Sequence, residues 1–150
     1  MLDLTTPIIP YKGTGIFELY ADYNDVVARM QVNNIEYTKE IREHTDTIDP
    51  PRTILTIGDD DIELFFAKSR LWKIVLLNNF KGALPNGINL DTPIEDAEKI
   101  DPLLTFNDWD EIYESPEGYW LEHSFVTEKL SCISIFIPAV ETDDFYEYNW

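Results

Sequence analysis

The sequence predicts an α+β domain whose antiparallel sheet, single or split into two small sheets, is built from two helix-plus-β-meander repeats with the helices on one face. The first observation is a repeated segment before each predicted helix, which we call the lead-in. It consists of Gly-Ile, a Leu and an acidic helix start, and it occurs at residues 15–27 and again at residues 87–97. The second is that strand-like segments joined by short turns follow each lead-in, which favours antiparallel pairing. The third is that each half ends in an aliphatic strand, at residues 71–77 and 130–137.

A length of 150 residues fits one domain spanning residues 1–150. Matching the two lead-ins places pseudo-repeats at about 13–80 and 85–138 and leaves an acidic, aromatic tail at residues 139–150. Hydrophobic residues make up 44% of the chain and aromatic residues 13%, which is too rich a composition for a disordered acidic segment. We therefore expect a folded core.

The first helix is predicted from its cap and its spacing. Asp22 or Asn24 can cap its N-terminus, and Val26, Val27 and Met30 follow at intervals that place them on one helix face. Polar residues 33–51 then favour a loop around a brief strand, because they end in two consecutive prolines.

The second helix is predicted from a capping box. Thr92 stands at the capping position, Pro93 at the first helical position and Glu95 at the third. The helix is short because Asp101 is followed by a proline.

Two tight turns predict strand pairs. Gly58-Asp59-Asp60 separates two alternating segments within residues 53–66. Ser115-Pro116-Glu117-Gly118 separates two more within residues 111–122. Both turns are short enough to join neighbouring antiparallel strands.

Charge is distributed unevenly along the chain. The 29 acids and 11 bases give a net charge of −18. Residues 1–90 carry 13 acids and 9 bases, a net of −4, whereas residues 91–150 carry 16 acids and two bases, a net of −14. An acidic surface that only serves solubility is one interpretation. A one-sided field is better suited to steering a basic partner.

The charge also limits the classes of partner and compartment. Nucleic acid and anionic membrane surfaces are not expected to bind a chain of this charge. Residues 1–4 resemble neither the basic nor the apolar region of a signal peptide, and Cys132, as a single cysteine, forms no internal disulfide. The sequence therefore favours a cytoplasmic protein. It contains no feature that sets an oligomeric state.

Catalysis is not expected. His44 and His123 lie roughly eighty residues apart in sequence, and neither belongs to a recognisable motif. Cys132 lies between aliphatic residues, which is typical of a small buried hydrophobe. Residues 59–61 are all Asp, but they lack the spacing of a calcium loop and are expected to form a charged turn. We expect no enzyme activity, no cofactor and no metal.

The second half interleaves acids with aromatic residues, which is typical of protein interfaces that bind Arg and Lys. The alternative is that the aromatic residues of 106–120 lie in the core and that the tail is disordered. The residues predicted to bind a partner are Asp108, Asp110, Glu111, Glu114, Glu117, Tyr119, Asp143, Asp144 and Tyr146.

The chain resembles the immunity proteins of bacterial polymorphic and contact-dependent growth inhibition toxin systems. The resemblance rests on the Gly-Ile lead-ins and on the runs Lys81-Gly82-Ala83-Leu84-Pro85-Asn86-Gly87-Ile88 and Tyr113-Glu114-Ser115-Pro116-Glu117-Gly118-Tyr119-Trp120, and it covers most of residues 13–138. The doubled plan is also similar to that of beta-lactamase inhibitor protein. The resemblance implies a small protein without a cofactor that binds one cognate toxin tightly, often a nuclease.

We therefore expect an immunity protein that neutralises a basic toxin domain through an acidic surface containing aromatic residues. Two alternatives remain open. One is an adaptor or chaperone that binds a secreted effector without inhibiting it, and the other is an enzyme acting on a cationic substrate.

Overall fold

A computed structural model of the protein describes residues 2–42, 52–142, 145 and 150. A small sheet is formed by β1 (Ile8–Ile9), β2 (Gly13–Thr14) and β3 (Phe17–Glu18). The two α-helices are α1 (Tyr23–Val32) and α2 (Ile94–Ile100), and a 3-10 helix covers Pro138–Glu141. The large sheet contains β4 (Tyr37–Arg42), β5 (Arg52–Ile57), β6 (Ile62–Ala67), β7 (Arg70–Leu77), β8 (Thr105–Asn107), β9 (Ile112–Ser115), β10 (Tyr119–His123) and β11 (Leu130–Phe136).

The large sheet is antiparallel throughout, with the strand order β4-β5-β6-β7-β11-β10-β9-β8. The aliphatic strands β7 and β11 lie side by side at its centre, with Ile74 opposite Ile135. Both strands bury residues on both faces, as expected for the middle of a covered sheet. The more polar strands β4 and β8 form the two edges.

The predicted α+β fold of two helix-plus-β-meander repeats is wrong. The protein is mostly β, with 40% strand and 16% helix, and it consists of one eight-stranded antiparallel sheet and a separate three-stranded sheet. Pairing between β7 and β11 joins the strands of both halves into one continuous sheet. In addition, one part of the first predicted lead-in, Phe17–Glu18, forms strand β3 of the small sheet before the chain enters α1.

The two helices pack on the core through short apolar faces. Val26 and Met30 of α1 and Ile94 and Ala97 of α2 are buried in the same hydrophobic cluster as the central strands. The predicted cap of α1 is confirmed, because an oxygen of Asp22 accepts a hydrogen bond from the backbone N–H of Asn24 at 2.9 Å.

The predicted capping box of α2 is wrong. Pro93 stands at the capping position, one residue later than expected, and provides no side-chain cap. Thr92 instead accepts a hydrogen bond from the backbone N–H of Asn89 at 3.1 Å, so its hydroxyl closes the preceding turn.

Candidate partner-binding surface

The turn between β8 and β9 is organised by one side chain. The amide oxygen of Asn107 accepts hydrogen bonds from the backbone N–H groups of Trp109 (3.0 Å) and Asp110 (3.2 Å). Its amide nitrogen donates to a carboxylate oxygen of Asp110 (3.3 Å) and of Glu114 (3.2 Å). Glu111 takes the left-handed conformation, with φ at 57°. We call residues 108–111 the hairpin tip.

The hairpin tip holds an unshielded indole among carboxylates. Trp109 is 93% exposed, although a tryptophan ordinarily buries most of its ring. Asp108, Asp110 and Glu111 are exposed around it. None of the three forms an ion pair within the described part of the chain. The hairpin tip therefore presents a large apolar ring inside a negative field.

A row of rings crosses the outer strands next to the hairpin tip. Phe106 of β8 lies opposite Tyr113 of β9, with ring centroids 4.9 Å apart. The row continues from Tyr113 to His123 (5.8 Å) and from His123 to Phe125 (4.8 Å). Phe106 is 47% exposed and Phe125 81% exposed. We call these four residues the aromatic row.

Burial raises the pKa of the Tyr113 hydroxyl, and the negative charge of Glu98 raises it further. The exposed Val126 follows directly after Phe125, which extends the apolar surface at this end of the aromatic row. Contiguous exposed apolar surface of this kind marks interaction sites on otherwise polar proteins.

The predicted contact residues fall into separate groups. Asp108, Asp110 and Glu111 belong to the hairpin tip, and Glu114 is half-buried beside it. Glu117 lies in the turn at the opposite end of β9 and is exposed. The predicted residues Asp143, Asp144 and Tyr146 lie outside the described residues.

Tyr119 was predicted at the interface but is a core residue, with 1% of its surface exposed. Its hydroxyl donates to the carboxylate of Asp101 and accepts a hydrogen bond from the Asn86 amide at 3.1 Å. Burial, followed by the hydrogen bond to Asp101, raises the pKa of Tyr119 to about 12. Its ring therefore faces inward and lies outside the exposed surface formed by the hairpin tip and the aromatic row.

Two aromatic residues of the predicted tail are described, and both pack on the protein. Phe145 is buried against Trp72 of β7, with ring centroids 4.7 Å apart. Trp150 stacks on Phe145 at 5.7 Å and donates its indole N–H to the Phe145 carbonyl at 3.0 Å. These two rings extend the core rather than the candidate surface.

The sequence did not identify Asp101 as a site residue. Asp101 directly follows α2 and connects this helix to β9 and β10. It is 6% exposed and accepts hydrogen bonds from the Ser115 hydroxyl (2.6 Å), the Tyr119 hydroxyl and the backbone N–H of Leu103 (3.1 Å). Burial alone would raise the pKa of Asp101, but these hydrogen bonds outweigh it and lower the pKa below its usual value. The only local signal was an aspartate directly after a helix and before a proline.

Cys132 and Asp61, two residues of types that can take part in chemistry, are both buried. Cys132 is buried, and burial, with a smaller contribution from the charge of Glu122, raises the pKa of its thiol to about 12. Asp61 is also buried and accepts hydrogen bonds from the backbone and side-chain N–H groups of Asn79, each at 3.0 Å. No group of three or more His, Cys, Asp or Glu residues within the described ranges is arranged to hold a metal ion. Among the same residues, no helix has the length and apolar character needed to span a membrane.

Comparison with known proteins gives one partial similarity. No family model and no solved structure matches the chain. A 1,4-alpha-glucan branching enzyme of Cellvibrio japonicus is 28% identical over 154 residues. That alignment covers 95% of this chain but only 18% of the enzyme. The chain thus spans less than a fifth of the length of this relative.

Proposed function

We propose that the protein is a binding domain for a basic protein surface, and that it acts as an immunity protein by neutralising a cognate basic toxin domain. The observation that carries the proposal is the hairpin tip, where Trp109 is 93% exposed among three carboxylates that form no ion pair with a described residue.

Both parts of the hairpin tip favour an Arg-rich partner. A guanidinium group can bind a carboxylate through two hydrogen bonds and can also stack on the face of a tryptophan ring. The carboxylates of the hairpin tip are not already neutralised by a neighbouring cation, so a partner cation gains the full interaction. The field of residues 91–150 would accelerate the encounter, because complementary charge raises association rates.

Preorganisation favours tight binding at the same place. Asn107 holds two backbone N–H groups of the turn and the carboxylates of Asp110 and Glu114, so the backbone of the turn loses little conformational entropy when the partner docks. Tryptophan is the residue most often found as an energetic anchor at interfaces. Blocking a toxin requires a slowly dissociating complex, which an anchor of this kind supports.

The test is co-expression with the toxin-like protein expected to be encoded immediately upstream, followed by measurement of its affinity for the purified chain. We expect the wild-type chain to rescue growth. Trp109→Ala should weaken binding by about 2 kcal/mol or more, which is roughly 30-fold. The double variant Asp108→Lys/Asp110→Lys should slow association, and this effect should shrink as the salt concentration rises.

The matched control is Glu36→Lys/Asp59→Lys, which makes the same change in net charge at exposed positions near the opposite edge of the sheet. We expect this control to bind almost as well as wild type. If both double variants bind alike, the hairpin tip is not the interface. If the neighbouring protein is not toxic, or the chain does not rescue growth, the immunity function is refuted.

A second candidate is an α-glucan-binding domain. It is favoured by the alignment of 95% of the chain with part of a glucan branching enzyme, together with the exposed rings of the aromatic row. Flat aromatic rings offer apolar surface on which sugar rings can stack. Electrophoresis of the chain in a gel containing glycogen separates the two candidates. Retardation of the chain that persists in high salt supports glucan binding, and unchanged mobility argues against it.

A further inference from the structure

A cavity of about 700 Å³ opens between the N-terminal segment, the loop at Pro85 and the end of α2. Its apolar walls include Ile9, Ile100 and Leu103, which are 39%, 44% and 61% exposed. Three prolines complete these walls, Pro10, Pro85 and Pro102. The volume lies within the range of ordinary ligand pockets.

The floor of the cavity is held rigidly and is satisfied internally. Tyr119 and Asp101 line it and are hydrogen-bonded to each other, and Asn86 donates to the Tyr119 hydroxyl. The prolines have restricted backbone angles and no N–H group to satisfy. The cavity is therefore preformed, and its accessible walls favour an apolar group.

One side of the cavity is negatively charged. Glu117 lines it directly. Glu141 lies close by, where it accepts a hydrogen bond from the Tyr11 hydroxyl at 2.6 Å. Burial, this hydrogen bond and the charges of Glu141 and Glu117 together raise the pKa of Tyr11 to about 12. Neither glutamate forms an ion pair with another described residue.

We infer that this cavity receives a branched aliphatic side chain of the partner, with an adjacent Lys or Arg side chain bound at Glu117. The inference rests on the proposed function, because it names a second contact made by the same basic protein. An apolar wall beside an unneutralised carboxylate matches an aliphatic group next to a cation, and it disfavours both acidic and purely polar groups.

The cavity and the hairpin tip lie near opposite ends of strand β9. Strand β9 runs from the hairpin tip to the turn that contains Glu117, and its four residues span about 13 Å. An interface of ordinary size covers roughly 800 Å² on each partner, so one partner can reach both places. The hairpin tip would supply an aromatic anchor, and the cavity would receive an anchor from the partner.

The test uses the ¹⁵N-labelled full chain and 3-methylbutylammonium as the probe, since it joins a branched aliphatic tail to a cation. Comparison probes are the neutral 3-methylbutan-1-ol and methylammonium, which lacks the tail. We expect saturable shifts of the amide resonances of Ile9, Ile100, Leu103 and Glu117 with the first probe. The alcohol should bind several-fold more weakly, and methylammonium should cause no localised shifts.

Two variants assign the contacts. Glu117→Gln should bring the affinity for the ammonium down to that for the alcohol. Leu103→Ser should weaken both probes, whereas Val32→Ser, at an 83% exposed position on α1, should change neither. Equal affinity for the ammonium and the alcohol, shifts spread over the whole surface, or self-association through this face would overturn the inference. The affinity of Trp109→Ala for the toxin is measured separately. The results can therefore refute binding in the cavity and still support binding at the hairpin tip.

Discussion

Asp101 is a buried carboxylate whose charge is stabilised by hydrogen bonds, since it forms no ion pair with a described residue. Apart from its place between a helix and a proline, Asp101 had no signature in the sequence, because Ser115 and Tyr119 approach it only through the packing of α2 on β9 and β10. The pattern of acids interleaved with aromatic residues predicted Tyr119 at the interface, because that pattern does not distinguish a buried ring from an exposed one. Alternation along a strand separates two faces but does not say which face is covered when Tyr119 and Trp120 are both aromatic.

We expect Asp101→Asn to lower the free energy of unfolding at pH 7 by about 1–3 kcal/mol, because it removes the charge that three donors are arranged to meet. The folded pKa of Asp101 lies below its unfolded value, so its contribution is present above the unfolded pKa and is lost as pH falls through the folded pKa. The difference between wild type and variant should therefore narrow below about pH 4. Urea unfolding between pH 3 and pH 8 measures it.

Asp96→Asn is the control for that experiment, because Asp96 is an exposed carboxylate on the same helix. Its effect should stay within about 0.5 kcal/mol at every pH. A difference for Asp101→Asn that is the same at pH 3 and pH 7 would mean that the carboxylate charge is not the stabilising feature.

Among the elements, those with local signals were predictable and those formed by distant pairing were not. The hairpin around Gly58 was predicted correctly, because a glycine turn and alternating strands lie within a few residues of one another. Strand β8 has only three residues, too few to show a period, and was missed. The junction of β7 with β11 depends on two aliphatic strands far apart in sequence, and no local pattern specifies which edges meet.

The turn between β9 and β10 requires a glycine both for its positive φ and for its close contact with the Tyr11 ring. A pair of variants can separate these two requirements. Gly118 has φ at 97°, and a Cβ atom placed there would lie 2.5 Å from the Tyr11 ring. Gly87 has a similar φ of 93°, but a Cβ atom there would have no neighbour within 4 Å. Both Ala variants should lose about 1 kcal/mol or more through backbone strain.

Gly118→Ala should lose more than Gly87→Ala, because the Tyr11 ring must move away from Glu141. Thermal or urea unfolding gives the two free energies, and the Tyr11 ring resonances should shift only in Gly118→Ala. Equal losses of stability with an unchanged Tyr11 environment would show that the contact between this turn and the N-terminal segment does not constrain the fold.

At the scale of the whole molecule, 29 acids stand against 11 bases. The net charge is −18, and the described residues contain two ion pairs, Arg29–Glu18 at 3.9 Å and Arg42–Glu40 at 2.9 Å. All four side chains are largely exposed, and exposed pairs add little stability. Both pairs also lie in the first half of the chain, so the field of residues 91–150 is not reduced by them.

Salt should therefore stabilise the folded protein. We expect the Tm to rise when NaCl is increased from about 10 mM to 150 mM, because the Debye length falls from ~30 Å to ~8 Å. A gain on the order of 1 kcal/mol corresponds to a rise of about 2–4 °C for a chain of this size. The rise in Tm should level off above about 150 mM NaCl, because neighbouring charges are by then screened. Exclusion of salt from apolar surface would instead continue to raise the Tm. A fall in Tm would mean that attractive pairs outweigh repulsion, which would contradict the unneutralised surface on which the proposed recognition of a basic partner depends.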